Sequence, residues 1–284
     1  MSEEIYLNLL SLVSPLIRRK DTVMRNAISP HERLTATLRF LATGRSYEDL
    51  KFSTIISPEA LSSIIPDTSE ALFKVLCPDF LKFPNTDQDW KNIALGAIDG
   101  KHVSIALPPG CGSEFYNYKS RHNMVLMAIV DAQYKFILCD FGTNGRISDG
   151  GVLRYTVFFE KHQDSKLNIP AAELVKNGNR SLPYVFVVDD AFPLRTDMIK
   201  PFRQADLNTY EKKKYNYRVS RARRIVENAF GILASRFRIL HTEINIEPKN
   251  IDSVKMACCA LHNYLTETNQ ASYSPPEILD RDYF

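Results

Sequence analysis

Apolar residues in the first 80 positions recur at the spacing of helices. Within Glu32–Leu41 they fall at Leu34, Leu38 and Leu41, which share one face of a helix. Ser29 stands where an N-cap belongs, Pro30 suits the first helical position, and Gly44 marks the stop. Residues 46–52 (SYEDLKF) start a second helix. Ser57-Pro58 opens a third that should end near Pro66, and residues 69–76 add another short one. Short helices with tight turns suit a helical bundle, and equally a helix-turn-helix. Residues 78–90 (PDFLKFPNTDQDW) carry the Pro, Asn and Asp of a loop, which places a domain boundary there.

Beyond that boundary the period shortens. Ile93–Ile98 and Val103–Leu107 are short apolar runs on either side of Asp99-Gly100, a turn pair. Two further strands are expected at about 122–130 and 134–141, joined at Asp131-Ala132-Gln133, so that three strands in series form an antiparallel meander. Residues 149–161 return to helical spacing with Ser148 as cap, and 162–183 read as loop. Tyr184–Val188 (YVFVV) is a strand with both faces covered, ending on Asp189-Asp190. A long helix over 208–235 carries an apolar stripe through Val219, Ile225, Val226, Ala229, Phe230 and Leu233. A closing helix covers 249–266, and the tail from 268 to 284 is extended.

Composition narrows the class. With 284 residues and 44% hydrophobic content the chain can bury a sizeable core in one domain or two. No apolar run approaches the roughly 20 residues that span a bilayer. The N-terminus has acids where a signal peptide needs base, so a cytosolic or nuclear protein is expected. Five scattered cysteines without a Cys-x-x-Cys pair argue for reduced, buried thiols instead of zinc or disulfides.

Charge is unevenly spread. Between Arg195 and Arg238 there are 12 Lys+Arg against 4 Asp+Glu, while the rest of the chain holds 24 against 29. A basic segment on a mildly acidic body suggests a phosphate-facing surface, with a solvated helix face as the plainer reading.

The acids then draw attention. Asp99 follows one strand, Asp189 ends the buried strand, and Glu227 lies within the long helix beside Val226, 38 residues after Asp189. A carboxylate on the apolar side of a helix is costly unless a cation neutralises it. Strand-end aspartates beside a helical glutamate suit the ribonuclease H-like arrangement. They are hard oxygen ligands for Mg²⁺ or Mn²⁺, and two such ions about 3.5–4 Å apart can drive phosphodiester hydrolysis. Each acid taken alone is also an ordinary turn or cap residue.

Six blocks carry a resemblance: GAIDGKHVSIAL at 96–107, EFYNYK at 114–119, GTNGRISDGGVL at 142–153, VVDDAFPL at 187–194, RARRIVENAFG at 221–231 and CCALHNYL at 258–265. In this order they resemble the PIF/Harbinger transposases and the Harbinger transposase-derived nucleases of the DDE endonuclease class. Residues from about 31 onward take part, because HERLTATLRFLATGRSYEDL resembles the family's helical region.

The resemblance implies an α/β, ribonuclease H-like mixed-sheet core at 91–267. An N-terminal helical region at 1–80 precedes it across a linker at 81–90. It implies Asp99, Asp189 and Glu227 as catalytic carboxylates, and Asp149 as a further metal ligand. Arg221, Arg223, Arg224, Lys119 and Arg121 are expected on DNA phosphates. His102 and Asp190 are expected to support the site from beside it. The implied activity is a metal-dependent DNA endonuclease, with a separate Myb/SANT-like protein supplying sequence recognition. One departure stands out: only five residues separate Trp90 from Gly96, where relatives carry a longer stretch. Two rival readings stay open, a domesticated and catalytically silent binding module that keeps the fold, and an unrelated hydrolase. The second finds no Gly-x-Ser-x-Gly, phosphate loop or Cys-His signature to support it.

Overall fold

A computed structural model gives the fold. It describes residues 1–23, 26–93, 96–106, 122–144, 149–164, 166–174, 178–269 and 273, with the side chains of 142–144, 149 and 150 excepted. The chain divides into two compact units. One comprises Met1–Leu81, the short segment beginning at Val103, and the chain from Gly231 onward. The other comprises Lys82–His102 and the chain that follows that segment up to Phe230. Among the described residues no helix is long and apolar enough to cross a membrane.

The first unit is helical. It contains α1 (Glu3–Ile17), α2 (Pro30–Thr43), α3 (Tyr47–Thr54), α4 (Pro58–Phe80) and α9 (Pro248–Thr268). Local chemistry sets the ends of α2 as the sequence implies. Ser29 Oγ accepts from the Glu32 amide while Glu32 accepts from the Ser29 amide, and Gly44 closes the helix at φ 65°. A side chain at Gly44 would also press on Thr242, so both the backbone angle and the space demand glycine.

The sequence reading ends a helix at Pro66 and begins another at 69, but α4 runs unbroken for 23 residues through that proline. A mid-helix proline costs about 3 kcal/mol. Here Leu61, Ile64, Ile65, Leu72 and Leu76 make one buried stripe on both sides of it, and burying such side chains is worth about 1.5–3 kcal/mol each. The closing helix α9 packs on α4. Asn263 Nδ2 donates to the Phe80 carbonyl at 2.6 Å, and the Tyr264 ring meets Phe80 edge-on at 5.1 Å. Residues 248–268 therefore join the N-terminal helices, whereas the sequence reading assigns them to the nuclease core. The start of the tail is held as well. Tyr273 is buried, its hydroxyl lies 2.9 Å from His262 Nδ1, and its carbonyl accepts twice from Arg236.

The second unit is built on a mixed sheet of five strands in the order β3-β2-β1-β6-β7. These are β1 (Ala97–Ser104), β2 (Asn123–Val130), β3 (Phe136–Asn144), β6 (Phe186–Val187) and β7 (Met198–Ile199). A separate two-stranded ribbon pairs β4 (Glu173–Leu174) with β5 (Ser181–Leu182), inside a stretch read as loop. Three helices accompany the sheet: α5 (Asp87–Ile93), α6 (Asp149–Arg154) and α7 (Val157–Gln163), and α8 (Tyr210–Arg236) begins in this unit. The helix expected over 149–161 is thus broken in two, because Thr156 caps α7 by accepting from the Phe159 amide.

β2 and β3 pair antiparallel about a turn that Asp131 organises by accepting from the amides of Gln133 and Lys135, with Tyr134 at φ 63°. β1 pairs parallel with β6, and β6 parallel with β7. Asp99-Gly100 is not a turn. β1 passes straight through it, because the ladder on this strand outweighs the local turn preference of the pair.

One face of the sheet packs Ile98, Val125, Met127, Ile129, Phe186 and Val188 against Trp90 of α5, Val152 and Leu153 of α6, and Phe158 of α7. Trp90 is wholly buried and its indole N–H donates to the Leu167 carbonyl at 2.6 Å. That is why the segment read as a linker folds as a helix. Trp90 provides one apolar anchor, and Asp89 caps the turn through the Asn85 and Thr86 amides.

At the head of β1, Gly96 lies so close to β2 that a Cβ would sit 2.5 Å from the Val130 carbonyl oxygen and 2.7 Å from Ile129. Gly96→Ala is expected to destabilise the protein by about 1–3 kcal/mol through forced strand separation. Urea denaturation followed by Trp90 fluorescence measures it, and an unchanged midpoint would refute the close approach.

Candidate active site

Parallel register sets the relation of the two strand aspartates. Ala97 on β1 pairs with Val187 on β6. Two residues further along stand Asp99, still within β1, and Asp189, two residues past the end of β6. Neighbouring strands lie about 4.8 Å apart, and side chains two residues apart share a face. Since Ile98, Phe186 and Val188 point into the core described above, Ala97, Asp99, Val187 and Asp189 belong to the opposite face. Both aspartates are half-buried. Each also organises its own backbone, Asp99 Oδ1 accepting from the Gly100 amide and Asp189 Oδ1 from the Ala191 amide.

The helix that carries Glu227 lies against that same second face. Leu126, Ala128 and Val130 alternate with the core residues of β2, and Phe136, paired with Val130, meets Phe230 of α8 at 5.9 Å. Val226, Ala229 and Phe230 are buried, and Glu227 lies on the shoulder of their stripe, about 100° around the helix from Val226. Its carboxylate is 43% exposed and bonded to Arg223 at 2.6 Å, one turn back. Among the described residues no three His, Cys, Asp or Glu side chains are close enough together to hold a metal ion. Two of the three expected carboxylates thus share a register, while the third is engaged by an arginine of its own helix.

The other expected residues divide as follows. Asp149 opens α6, and its side chain lies outside the described residues, as do Lys119 and Arg121. Asp190 is exposed, with Lys200 Nζ 3.6 Å from its carboxylate and 3.1 Å from its carbonyl. His102 is exposed near the end of β1, on the face opposite Asp99 by strand alternation. Arg221 and Arg224 occupy the side of α8 away from its buried stripe.

Sequence reasoning missed Lys101. It lies two residues beyond Asp99 and hence on the same face. Burial holds its amine below the ordinary lysine range, against the pull of Asp99, which favours the charged form. The i, i+2 spacing is the signal that would have found it.

A family model described as DDE superfamily endonuclease matches residues 98–263, from within β1 into α9. The chain belongs to that family. Among its relatives, the human protein "Putative nuclease HARBI1" is 24% identical over 277 residues, covering 90% of this chain and 73% of its own. The Xenopus laevis protein of the same name is 23% identical and covers 91% of this chain and 76% of its own. "Protein ALP1-like" of Arabidopsis thaliana is 23% identical, covering 85% of this chain and 62% of its own. No solved structure matches. The α/β architecture with a mixed sheet is consistent with the DDE endonuclease class, and the resemblance to Harbinger-derived nucleases seen in the sequence is shown by these relatives.

A second polar node lies apart from these acids. Asp197, before β7, bonds His162 of α7 and takes two bonds from Arg195, at the edge of a cavity of about 390 Å³. Burial works against its charge, but the Arg195 and His162 bonds outweigh it and hold the carboxyl below the usual aspartate range. A depressed carboxyl contributes stability that is present above its unfolded value, near pH 3.9, and is lost as pH falls through the folded value. Asp197→Asn is therefore expected to cost about 2 kcal/mol at pH 7. The gap to wild type should shrink once pH falls below about 4. Thermal melts of both proteins across pH check this, and a gap independent of pH would show that the charge contributes nothing.

Proposed function

We propose that this chain is a metal-dependent DNA endonuclease of the transposase type, with a ribonuclease H-like core and Asp99, Asp189 and Glu227 as its catalytic carboxylates. What supports this reading is the parallel register of β1 and β6, with Asp99 two residues past Ala97 and Asp189 two residues past Val187. The family and the word nuclease in its relatives' names support the same reaction class.

The donor set fits a divalent cation in its chemistry. Two half-buried carboxylates on one face repel each other, and a cation between them relieves that repulsion. A bound Mg²⁺ or Mn²⁺, or a pair of such ions, supplies charge neutralisation at the scissile phosphate and a more acidic water. Asp99 and Asp189 hold the cation from the sheet, and Asp149 joins them as a further ligand. Glu227 completes the set by leaving Arg223. A half-exposed ion pair one turn apart is worth only about 0.3–0.5 kcal/mol, so this exchange costs little. Arg223 so released, with Arg221, Arg224, Lys119 and Arg121, engages DNA phosphates, while Lys101 offsets the charge of Asp99 until the cation binds. His102 and Asp190 flank the site. A Myb/SANT-like partner supplies sequence recognition and nuclear delivery.

The test is nicking of supercoiled plasmid in Mn²⁺. Wild type is expected to nick, and Asp99→Ala or Asp189→Ala to lose about a hundredfold or more of the rate. Absence of nicking by wild type, alone and with a DNA-reading partner, would leave the silent binding module in its place. Arg223→Gln with Arg224→Gln is expected to weaken duplex affinity and to flatten its logarithmic salt dependence by about one to two units. An unaltered slope would take both arginines off the DNA surface.

A further inference from the structure

The first two turns of α8 form a surface that the acids and arginines above do not use. The segment 210–218 (YEKKKYNYR) holds four cations and one acid. Tyr210 is 73% and Tyr217 59% exposed, and Phe202, just upstream, is 43% exposed. At about 100° per residue, Tyr210, Lys213, Lys214 and Tyr217 share the side of α8 opposite its buried stripe.

The surface is braced from beneath. Asn216 closes a two-bond clamp on Phe202, its Oδ1 accepting from the Phe202 amide at 2.7 Å and its Nδ2 donating to the Phe202 carbonyl at 2.8 Å. Tyr215 packs edge-on against the Phe202 ring at 5.1 Å and donates to the Lys200 carbonyl. Lysines lie over the exposed rings: Lys212 Nζ is 5.6 Å from the Phe202 centroid and Lys214 Nζ 6.0 Å from that of Tyr210.

Lys213 and Lys214, both exposed on this side, repel each other and call for a polyanion. Exposed rings set among them call for flat partners, and in nucleic acids only unpaired bases offer a free face. Resting on the endonuclease reading for the choice of DNA, we propose that Tyr210 and Tyr217 stack unpaired bases of a DNA strand while Lys213 and Lys214, on the same side of the helix, bind its phosphates. The surface thus favours DNA whose strands are locally open over continuous duplex.

The test uses the full chain in EDTA, with three fluorescein-labelled probes read by anisotropy: a mixed-sequence DNA strand, that strand annealed to its complement, and an abasic strand of equal length. Tyr210→Ala with Tyr217→Ala is expected to weaken binding of the base-bearing strand about tenfold or more, with duplex and abasic strand within about twofold of wild type. Tyr210→Phe with Tyr217→Phe keeps the rings and should restore binding of the strand. Replacing Lys213 and Lys214 by glutamine should weaken binding of all three probes and lower the single-strand salt slope by about 1.4. Strand affinity unchanged by the Tyr→Ala pair, or loss shared equally by all three probes, would overturn the stacking role. Because no metal is present, the outcome is separable from the nuclease reading. A chain that shows this binding pattern but never nicks plasmid loses only the cutting role. One that nicks while the Tyr→Ala pair binds like wild type loses only the stacking surface.

Discussion

The pairing of Ala97 with Val187 is the constraint on which the candidate site depends. Side chains alternate along a strand, so a slip of one residue would send Ile98 or Val188 to the acid-bearing face and drive an aspartate into the core. The core itself guards the register. Ile98, Phe186 and Val188 are wholly buried against Trp90 and Phe158, and each would have to be expelled for the slip to occur. Gly96 fixes the other edge by letting β1 approach β2 where any Cβ would collide with backbone. Two carboxylates on one face are electrostatically unfavourable by themselves, and the energy that holds them there comes from the apolar residues alternating with them.

Charge on α8 is graded around its circumference. The stripe through Val219, Val226 and Phe230 is buried, Glu227 and Arg223 lie along its shoulder, and Tyr210, Lys213, Lys214 and Tyr217 of the first turns face outward. An unpaired carboxylate beside a buried stripe is disfavoured. Arg223 supplies the counter-charge through a half-exposed pair one turn apart, which is weak. The same arithmetic separates this pair from the His162, Asp197 and Arg195 node, where burial and several charge-assisted bonds act together and the contribution is structural.

Local signals were legible where local energies decide. Ser29, Glu32 and Gly44 bound α2 as their chemistry implies, and β2, β3, α8 and α9 fall within a few residues of their apolar patterns. The pattern failed where tertiary burial outweighs a local preference. Asp99-Gly100 has the composition of a turn yet continues a strand because the ladder on it is stronger. Pro66 should end a helix yet lies within α4, and Trp90 converts a loop-like segment into α5. Residues 248–268 were legible as a helix but not as a partner of α4, since amphipathicity states that a face is buried and not against what. Of the site, the order of the acids was readable. The pairing of Arg223 with Glu227 was readable in principle from their four-residue spacing, and Lys101 from its alternation with Asp99. The expectations for Asp149, Lys119 and Arg121 concern side chains outside the described residues.

One helix carries both proposed roles, and that has a geometric consequence. From Tyr210 to Glu227 the backbone advances about 25 Å at 1.5 Å per residue. A strand held at the first turns and running along the helix would pass Arg221 and Arg224 before it reached the shoulder where Glu227 stands. Gripping unpaired bases far from the carboxylates lets binding energy select an opened strand without burdening the acids with recognition. The two tasks also make opposite electrostatic demands. The acids need a local field negative enough to hold a cation, whereas the lysines need one positive enough to hold phosphate. At about 8 Å the screening length in physiological salt is a third of that separation, so both fields can persist on the same helix.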